Sequence, residues 1–299
     1  MKYFFDFLKT MFTTINIFIG LFFIGLIGFF LWGSFSVFKT IDLDDNNEKS
    51  EIALIKIEGP IMSSQDILKK ILKVEKNNQF KALILRIDSP GGAVAPTQEI
   101  YEEIKRLDKI KPVYASFGGI AASGGYYIGA ATRQIFALKG TITGSIGAIM
   151  TFIDASKILN KLDLKIENYK SGKYKDITAP SRSRTEEEKS LLEKSIMNAH
   201  EQFVFDILAT RASKITGNMA DHATGMFFTG QDALERGLID QIGGLYEVAR
   251  FIQKEYALKS SDLLEIKTSK ETIVTKLLDQ LEEKISLKVY QLFFTKVFL

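Results

Sequence analysis

The sequence predicts an α/β domain behind an apolar N-terminal segment. Three observations carry this. From Glu51 onward, short apolar runs alternate with helix-like stretches. No charged residue occurs between Lys9 and Lys39. Small-residue turns, Pro90-Gly91-Gly92 and Gly118-Gly119 to Gly124-Gly125, fall where strand-like runs give way to helix-like ones. The 299 residues have room for one domain of roughly 200 to 250 residues plus appendages. A net charge of +3 on balanced acids and bases argues against nucleic acid as a partner. With no cysteine and only His200 and His222, neither a thiolate nor a histidine metal site is expected, and no cofactor.

In chain order, residues 1–12 form a short segment carrying Lys2 and Lys9, and residues 13–33 form an apolar stretch long enough to cross a hydrocarbon core of about 30 Å. The stretch exceeds the h-region of a cleaved signal peptide and no A-x-A-like site follows it, so it is expected to remain as an anchor. Lysines on one side and Asp42, Asp44 and Asp45 beyond Lys39 on the other place the N-terminus in the cytoplasm and the remaining chain outside. Residues 34–50 read as a solvated linker, with ligand spacing wrong for a metal loop.

Residues 52–57 and 82–87 read as strands with a helix at 64–75 between them, and a helix is expected at 95–106 after the turn at Pro90. Residues 112–117 read as a buried strand that ends in a tight turn at Gly118 and Gly119. Ser123 then stands at the mouth of a helix opening at Gly124, where unpaired amides favour a developing negative charge. Further strands are expected at 134–138 and 164–169, and 148–153 is a candidate strand edge for an extended peptide. Thr185 and Glu188 form a capping box for a long amphipathic helix reaching about residue 212. His200 on that helix and His222 in a polar loop read as surface or interface residues. A short helix at 231–236 and a strand precede the Gly243-Gly244 turn. Beyond the catalytic domain, expected over 51–258, residues 259–299 read as an amphipathic tail fit for a partner subunit or a membrane surface.

Five stretches, RIDSPGG (86–92), GGIAASGGYYIG (118–129), TGSIG (143–147), KSGKYKD (170–176) and TGQDALERGLID (229–240), occur in the order and rough spacing of the short-form signal peptide peptidase A family, also called protease IV. The resemblance covers most of residues 51–251 and the single anchor. It implies the Clp-protease/crotonase-like ββα superhelix, Ser123 as nucleophile, Lys175 as general base, and Ser145 as the residue orienting that lysine. It implies an oxyanion hole from Gly91 and Gly92, with Gly92 the stronger candidate, completed by Gly124. Asp88 stands where many relatives have asparagine and is expected to cap a turn. Long-form members carry two copies of the domain. The single copy here implies a homo-oligomer, with a dyad formed within one subunit or shared between two.

The residue chemistry agrees. Proteolytic relatives in the wider superfamily place a histidine some 25 residues after the serine; here Ala148 stands near that point and no histidine precedes His200. A lysine serves as base only when neutral, and desolvation favours that form, so Lys175 is expected in an apolar cleft with Lys170 and Lys173 solvated. The resemblance implies a serine endopeptidase of the bacterial inner membrane, acting on hydrophobic signal peptides beside the lipid bilayer. Two alternatives keep the scaffold: a sibling peptidase of the SohB or stomatin-partner type, or a catalytically inactive crotonase-like module.

Overall fold

The structure, a computed structural model, describes residues 50–267. The expected anchor at 13–33 and most of the expected tail lie outside them, and among the described residues no helix is long and apolar enough to cross a membrane. Among the described residues eight strands and eight helices follow one another: β1 (Ile52–Glu58), α1 (Gln65–Lys76), β2 (Ala82–Ser89), α2 (Val94–Asp108), β3 (Val113–Ala122), α3 (Gly124–Ala130), β4 (Gln134–Ala137), β5 (Ile142–Gly144), α4 (Ser156–Lys161), α5 (Glu186–Arg211), α6 (Met219–His222), β6 (Phe227–Thr229), α7 (Gly230–Glu235), β7 (Gln241–Ile242), α8 (Leu245–Glu255) and β8 (Leu263–Glu265). The sheet runs β6-β5-β3-β2-β1-β8, with β4 also on β3 and β7 on β4. Only β5 with β6 is antiparallel. Strand β8 carries the sheet past residue 258.

Strands β1 and β2 are apolar on both faces because both faces are covered, as parallel sheets require. Ala53, Ile55, Leu83, Leu85 and Ile87 pack into one core with α1, α2, α3 and α5. Ile52, Leu54, Ala82 and Ile84 point the other way, against Val248, Ala249 and Ile252 of α8. This period-two division fixes the register, since a slip of one residue would exchange the two faces.

Strand β3 positions the site. The turn expected at Gly118 and Gly119 is instead a bulge, and the strand continues to Ala122. Pairing with β2 jumps from Ile87↔Phe117 to Ser89↔Ala121, and the Asp88 carboxylate accepts the Ile120 amide at 3.1 Å, holding the extra residues. A Cβ on Gly118 would stand 2.6 Å from Asp88 Oδ2, so any larger residue there would displace the Asp88 carboxylate that holds the bulge. Asp88 thus caps a bulge within a strand. With β2 on one edge of β3, the other edge is divided: Tyr114 to Ser116 pair with β4, and Ile120 to Ala122 pair with β5.

Helix α5 begins with the expected capping box, Glu188 N to Thr185 Oγ1 at 3.2 Å and Thr185 N to Glu188 Oε2 at 2.9 Å. At its other end the fully buried Arg211 donates to Asp240 Oδ2 (3.0 Å) and Gly237 O (2.9 Å), and Asp240 also accepts the Ile135 amide of β4. The TGQDALERGLID stretch is therefore structural: Thr229 caps α7, and Asp240 ties α5 to the sheet.

Two expected strands do not form. Residues 148–153 and 164–169 have no strand partner, and α4 between them buries none of its side chains. Ile149 (86% exposed), Ile153 (74%) and Tyr169 (94%) show why: in a single chain this segment has no surface to pack on. His222 is not in a surface loop. It closes α6, is 4% exposed, and bonds through Nε2 to Thr216 O (2.7 Å) and through Nδ1 to Arg236 (3.1 Å).

Candidate active site

Ser123 occupies the single residue between β3 and α3 and adopts φ 51°, ψ −117°. This conformation costs a serine about 1–3 kcal/mol, so its surroundings must enforce it. They do so through the backbone: the Ser123 amide donates to Gly144 O and its carbonyl accepts from Tyr127, both at 2.9 Å. The next amide, that of Gly124, begins the helix and has no acceptor within it.

The Pro90-Gly91-Gly92 turn lies directly against this corner. Gly91 has φ 107°, and a Cβ there would fall 2.9 Å from Ser123 Cβ and 2.8 Å from Gly124 N. Ile61 pairs with Gly92 as an isolated parallel bridge, Ile61 N to Gly91 O at 2.9 Å and Ala93 N to Ile61 O at 2.8 Å. That pattern turns Gly92's own amide to the opposite side, where its nitrogen is 3.2 Å from the position a Cβ on Gly124 would take. The Gly91 amide is already given to Ser89 Oγ at 3.1 Å. Of the three candidate glycines, Gly92 and Gly124 thus present amides beside Ser123, and Gly91 shapes the turn.

Ser145 also lies at this corner. It follows Gly144, the partner of Ala122 in the β3–β5 register, and has φ 49°. Its amide is held by Met226 O at 2.8 Å, and its half-buried hydroxyl has no protein partner among the described residues.

Beside Ser123 opens a pocket of about 90 Å³ walled by Val94, Tyr127, Ala148, Ile149, Ala199 and Phe203, with Thr97 behind Gly124. Ala148 and Ile149 belong to the segment expected to border an extended peptide, and Val94 has no signal in the sequence. Tyr127 lies one turn after Ser123, and the spacing of Ala199 and Phe203 is the only hint that one stripe of α5 reaches the site. Tyr127 stacks on Phe203 at 4.4 Å and bonds through its hydroxyl to the Asp206 carboxylate. Tyr101 donates to Asp206 O at 2.7 Å. Burial pushes the Tyr101 phenol up to about 12 and the Tyr127 phenol higher, so both remain neutral. Among the described residues no group of three or more metal-ligating side chains converges.

The structure does not bring Lys175 to this pocket. Contrary to expectation, Lys175 is exposed, because the segment carrying it has no core of its own. Lys170 and Lys173 are exposed, as expected, and each has a partner: Lys170 bonds Asp176 Oδ1 at 2.5 Å and Lys173 O at 3.0 Å, and Lys173 pairs with Glu187. Among the three lysines, Lys175 alone has a side chain with no partner among the described residues.

A strained serine flanked by Gly92 and Gly124 and by an adjoining apolar pocket, set on a largely parallel sheet, fits a serine hydrolase. The chain belongs to peptidase family S49, whose model matches residues 105–259, and it is a serine peptidase. A Clp protease model matches residues 45–142, with which the mixed α/β sheet is consistent. The chain is 41% identical over 196 residues to a candidate protease of Synechocystis sp., covering 65% of this chain and 70% of the relative. It is 35% identical over 204 residues to a candidate signal peptide peptidase SppA of Enterococcus faecium, covering 68% and 59%. A serine protease SPPA, chloroplastic, of Arabidopsis thaliana is 37% identical over 200 residues, 64% of this chain and 29% of that one.

Proposed function

We propose that this protein is a membrane-anchored serine endopeptidase that degrades hydrophobic signal peptides after their release from preproteins. Residues 13–33 are its anchor in the bacterial inner membrane and the domain starting at residue 51 faces outward. Ser123 Oγ attacks the peptide carbonyl while its proton passes to the Lys175 amine. The Gly92 and Gly124 amides take the charge that develops on the carbonyl oxygen. The protonated amine then gives its proton to the departing peptide nitrogen; water, deprotonated by the same amine, attacks the acyl group, and that proton passes to Ser123 Oγ as the acid leaves. Ser145, beside Ser123, accepts from and orients the amine. The apolar pocket wall supports a substrate with apolar side chains, and the relative named as a signal peptide peptidase supports its class.

One observation carries the choice of base: Lys175 is the lysine of its loop that neither an ion pair nor a carbonyl has engaged. Its exposure, together with the uncovered apolar side chains at Ile149, Ile153 and Tyr169, supports a homo-oligomer in which Lys175 of one copy reaches Ser123 of another. Desolvation at that contact would favour the neutral amine. A serine-directed covalent probe should label Ser123 in the full-length protein, and both Ser123→Ala and Lys175→Ala should abolish hydrolysis of a signal peptide. If Lys173→Ala abolishes it and Lys175→Ala does not, the base is misassigned.

A further inference from the structure

The segment that carries Lys175 lacks an apolar core, yet it contains a well-enclosed ion network. Arg182 donates Nε and one terminal nitrogen to Asp176 (Oδ2 at 3.0 Å, Oδ1 at 2.8 Å). Its two terminal nitrogens also reach Glu188, at 2.9 Å to Oε2 and 2.6 Å to Oε1. The carboxylates are well covered, Asp176 13% and Glu188 5% exposed. Asp176 is the residue after Lys175. Glu188 lies in the first turn of α5 and completes its capping box by accepting the Thr185 amide, and α5 is the helix whose Ala199 and Phe203 wall the Ser123 pocket. A continuous path thus runs from the pocket through α5, Glu188, Arg182 and Asp176 to the backbone of Lys175.

We infer that Arg182 is the positioning residue of the base: its two-carboxylate clamp fixes the Lys175 loop to α5 of its own copy, and so sets the position from which the amine reaches Ser123 of a neighbouring copy. This rests on the reading of Lys175 as base. The planar guanidinium is suited to the task because it offers paired donors in a fixed fork to each carboxylate, which an ammonium cannot. The clamp also holds its charges. Arg182, aided by Lys170, keeps the Asp176 carboxyl well below the usual range, and Arg182 with the Thr185 amide keeps Glu188 at about 2. Both carboxylates therefore remain ionised wherever an amine base could work. A loop without a core would otherwise let the amine wander by more than proton transfer tolerates, and a misplacement of about 1 Å costs about 10²-fold in rate.

The test uses full-length, assembled protein and a signal-peptide substrate, with Arg182→Lys and Lys175→Ala measured side by side across pH. Arg182→Lys keeps the charge and loses the fork. It should lower kcat by about 10²-fold with KM within about twofold, and should move the rising limb of the kcat profile to higher pH as the loosened amine gains water. Should Arg182→Lys not assemble, Asp176→Asn breaks the fork from the other side and should lower kcat to the same extent, read from kcat alone because it also frees Lys170 and removes a charge next to Lys175. Wild-type kcat in the variant, or a lowered kcat with the limb unmoved, overturns the inference. Activity surviving in Lys175→Ala overturns instead the reading of the base on which it rests.

Discussion

Ser123 and Ser145 leave neighbouring strands at the same level. Each follows a member of the Ala122↔Gly144 pair, each has φ near +50° (51° and 49°), and the Ser123 amide donates to the carbonyl between them, Gly144 O, at 2.9 Å. Ser123, the proposed nucleophile, and Ser145 are therefore set by one sheet register, in a backbone form that serine does not favour. Replacing Ser145 by alanine keeps that register and removes one hydroxyl. The expected result is a kcat lower by about 10- to 100-fold with the melting temperature little changed, the size of effect seen when a group that orients a functional side chain is lost. Steady-state kinetics and a melting curve on the same sample check it.

The strain at Ser123 gives a stability prediction that does not involve catalysis. Both Ser123→Gly and Ser123→Ala are expected to be inactive, but glycine tolerates φ 51° and alanine does not. The glycine variant should be the more stable of the two by about 1 kcal/mol. Urea denaturation of both variants measures this.

Gly91 and Gly59 form a matched pair. Both have positive φ, 107° and 68°, but a Cβ at Gly59 meets nothing within 4 Å whereas one at Gly91 strikes Ser123 Cβ and Gly124 N. Gly59→Ala should cost about 1 kcal/mol and spare activity. Gly91→Ala should cost about 2–3 kcal/mol and lower kcat/KM by at least tenfold, about 1.4 kcal/mol of transition-state stabilisation, because it pushes apart the two turns that carry the amide donors. Denaturation and kcat/KM of the two variants separate backbone strain from displacement of the site.

The far end of α5 predicts an acid limb. Burial raises the Asp240 carboxyl, but the charge of Arg211 and bonds from Arg211, Lys214 and the Ile135 amide outweigh it, and the net shift is downward. A carboxyl lower in the folded than the unfolded chain adds stability that is complete above its unfolded value, about 4, and is lost as pH falls through its folded value. Arg211→Met leaves Asp240 covered without its main partner. The variant should lose about 3–5 kcal/mol near neutrality, and its acid unfolding should begin at a higher pH than in the unaltered protein. Urea titrations between pH 3 and 7 test both.

How much the sequence disclosed depends on how local each feature's cause is. The strands expected at 52–57 and 82–87 form at Ile52–Glu58 and Ala82–Ser89, because a run buried on both faces is apolar at every position. The Thr185–Glu188 capping box is likewise local and forms as expected. The continuation of β3 through Gly118 and Gly119 was hidden because its cause, Asp88, lies on another strand. His222 looked solvated among polar neighbours, but its partners come from Thr216 and from Arg236. Residues 148–153 and 164–169 have strand-like composition without a strand beside them, and a strand requires a partner that composition cannot supply. At the site, the SPGG and ASGG stretches pointed to the two turns that the structure sets against each other around Ser123. The pocket wall from α5 and the Arg182 clamp were not visible, since both depend on how a distant helix is docked.

The central claim is that Ser123 of one copy works with Lys175 of another, and mixing two inactive proteins tests it most directly. Ser123→Ala retains the amine and Lys175→Ala retains the hydroxyl. When the two are unfolded, combined in equal amounts and reassembled, about a quarter of the sites should pair an intact hydroxyl with an intact amine from a neighbouring copy. Signal-peptide hydrolysis should return to about that fraction of the unaltered protein's rate. A mixed assembly, verified by differential mass labelling, that remains as inactive as either parent contradicts the account.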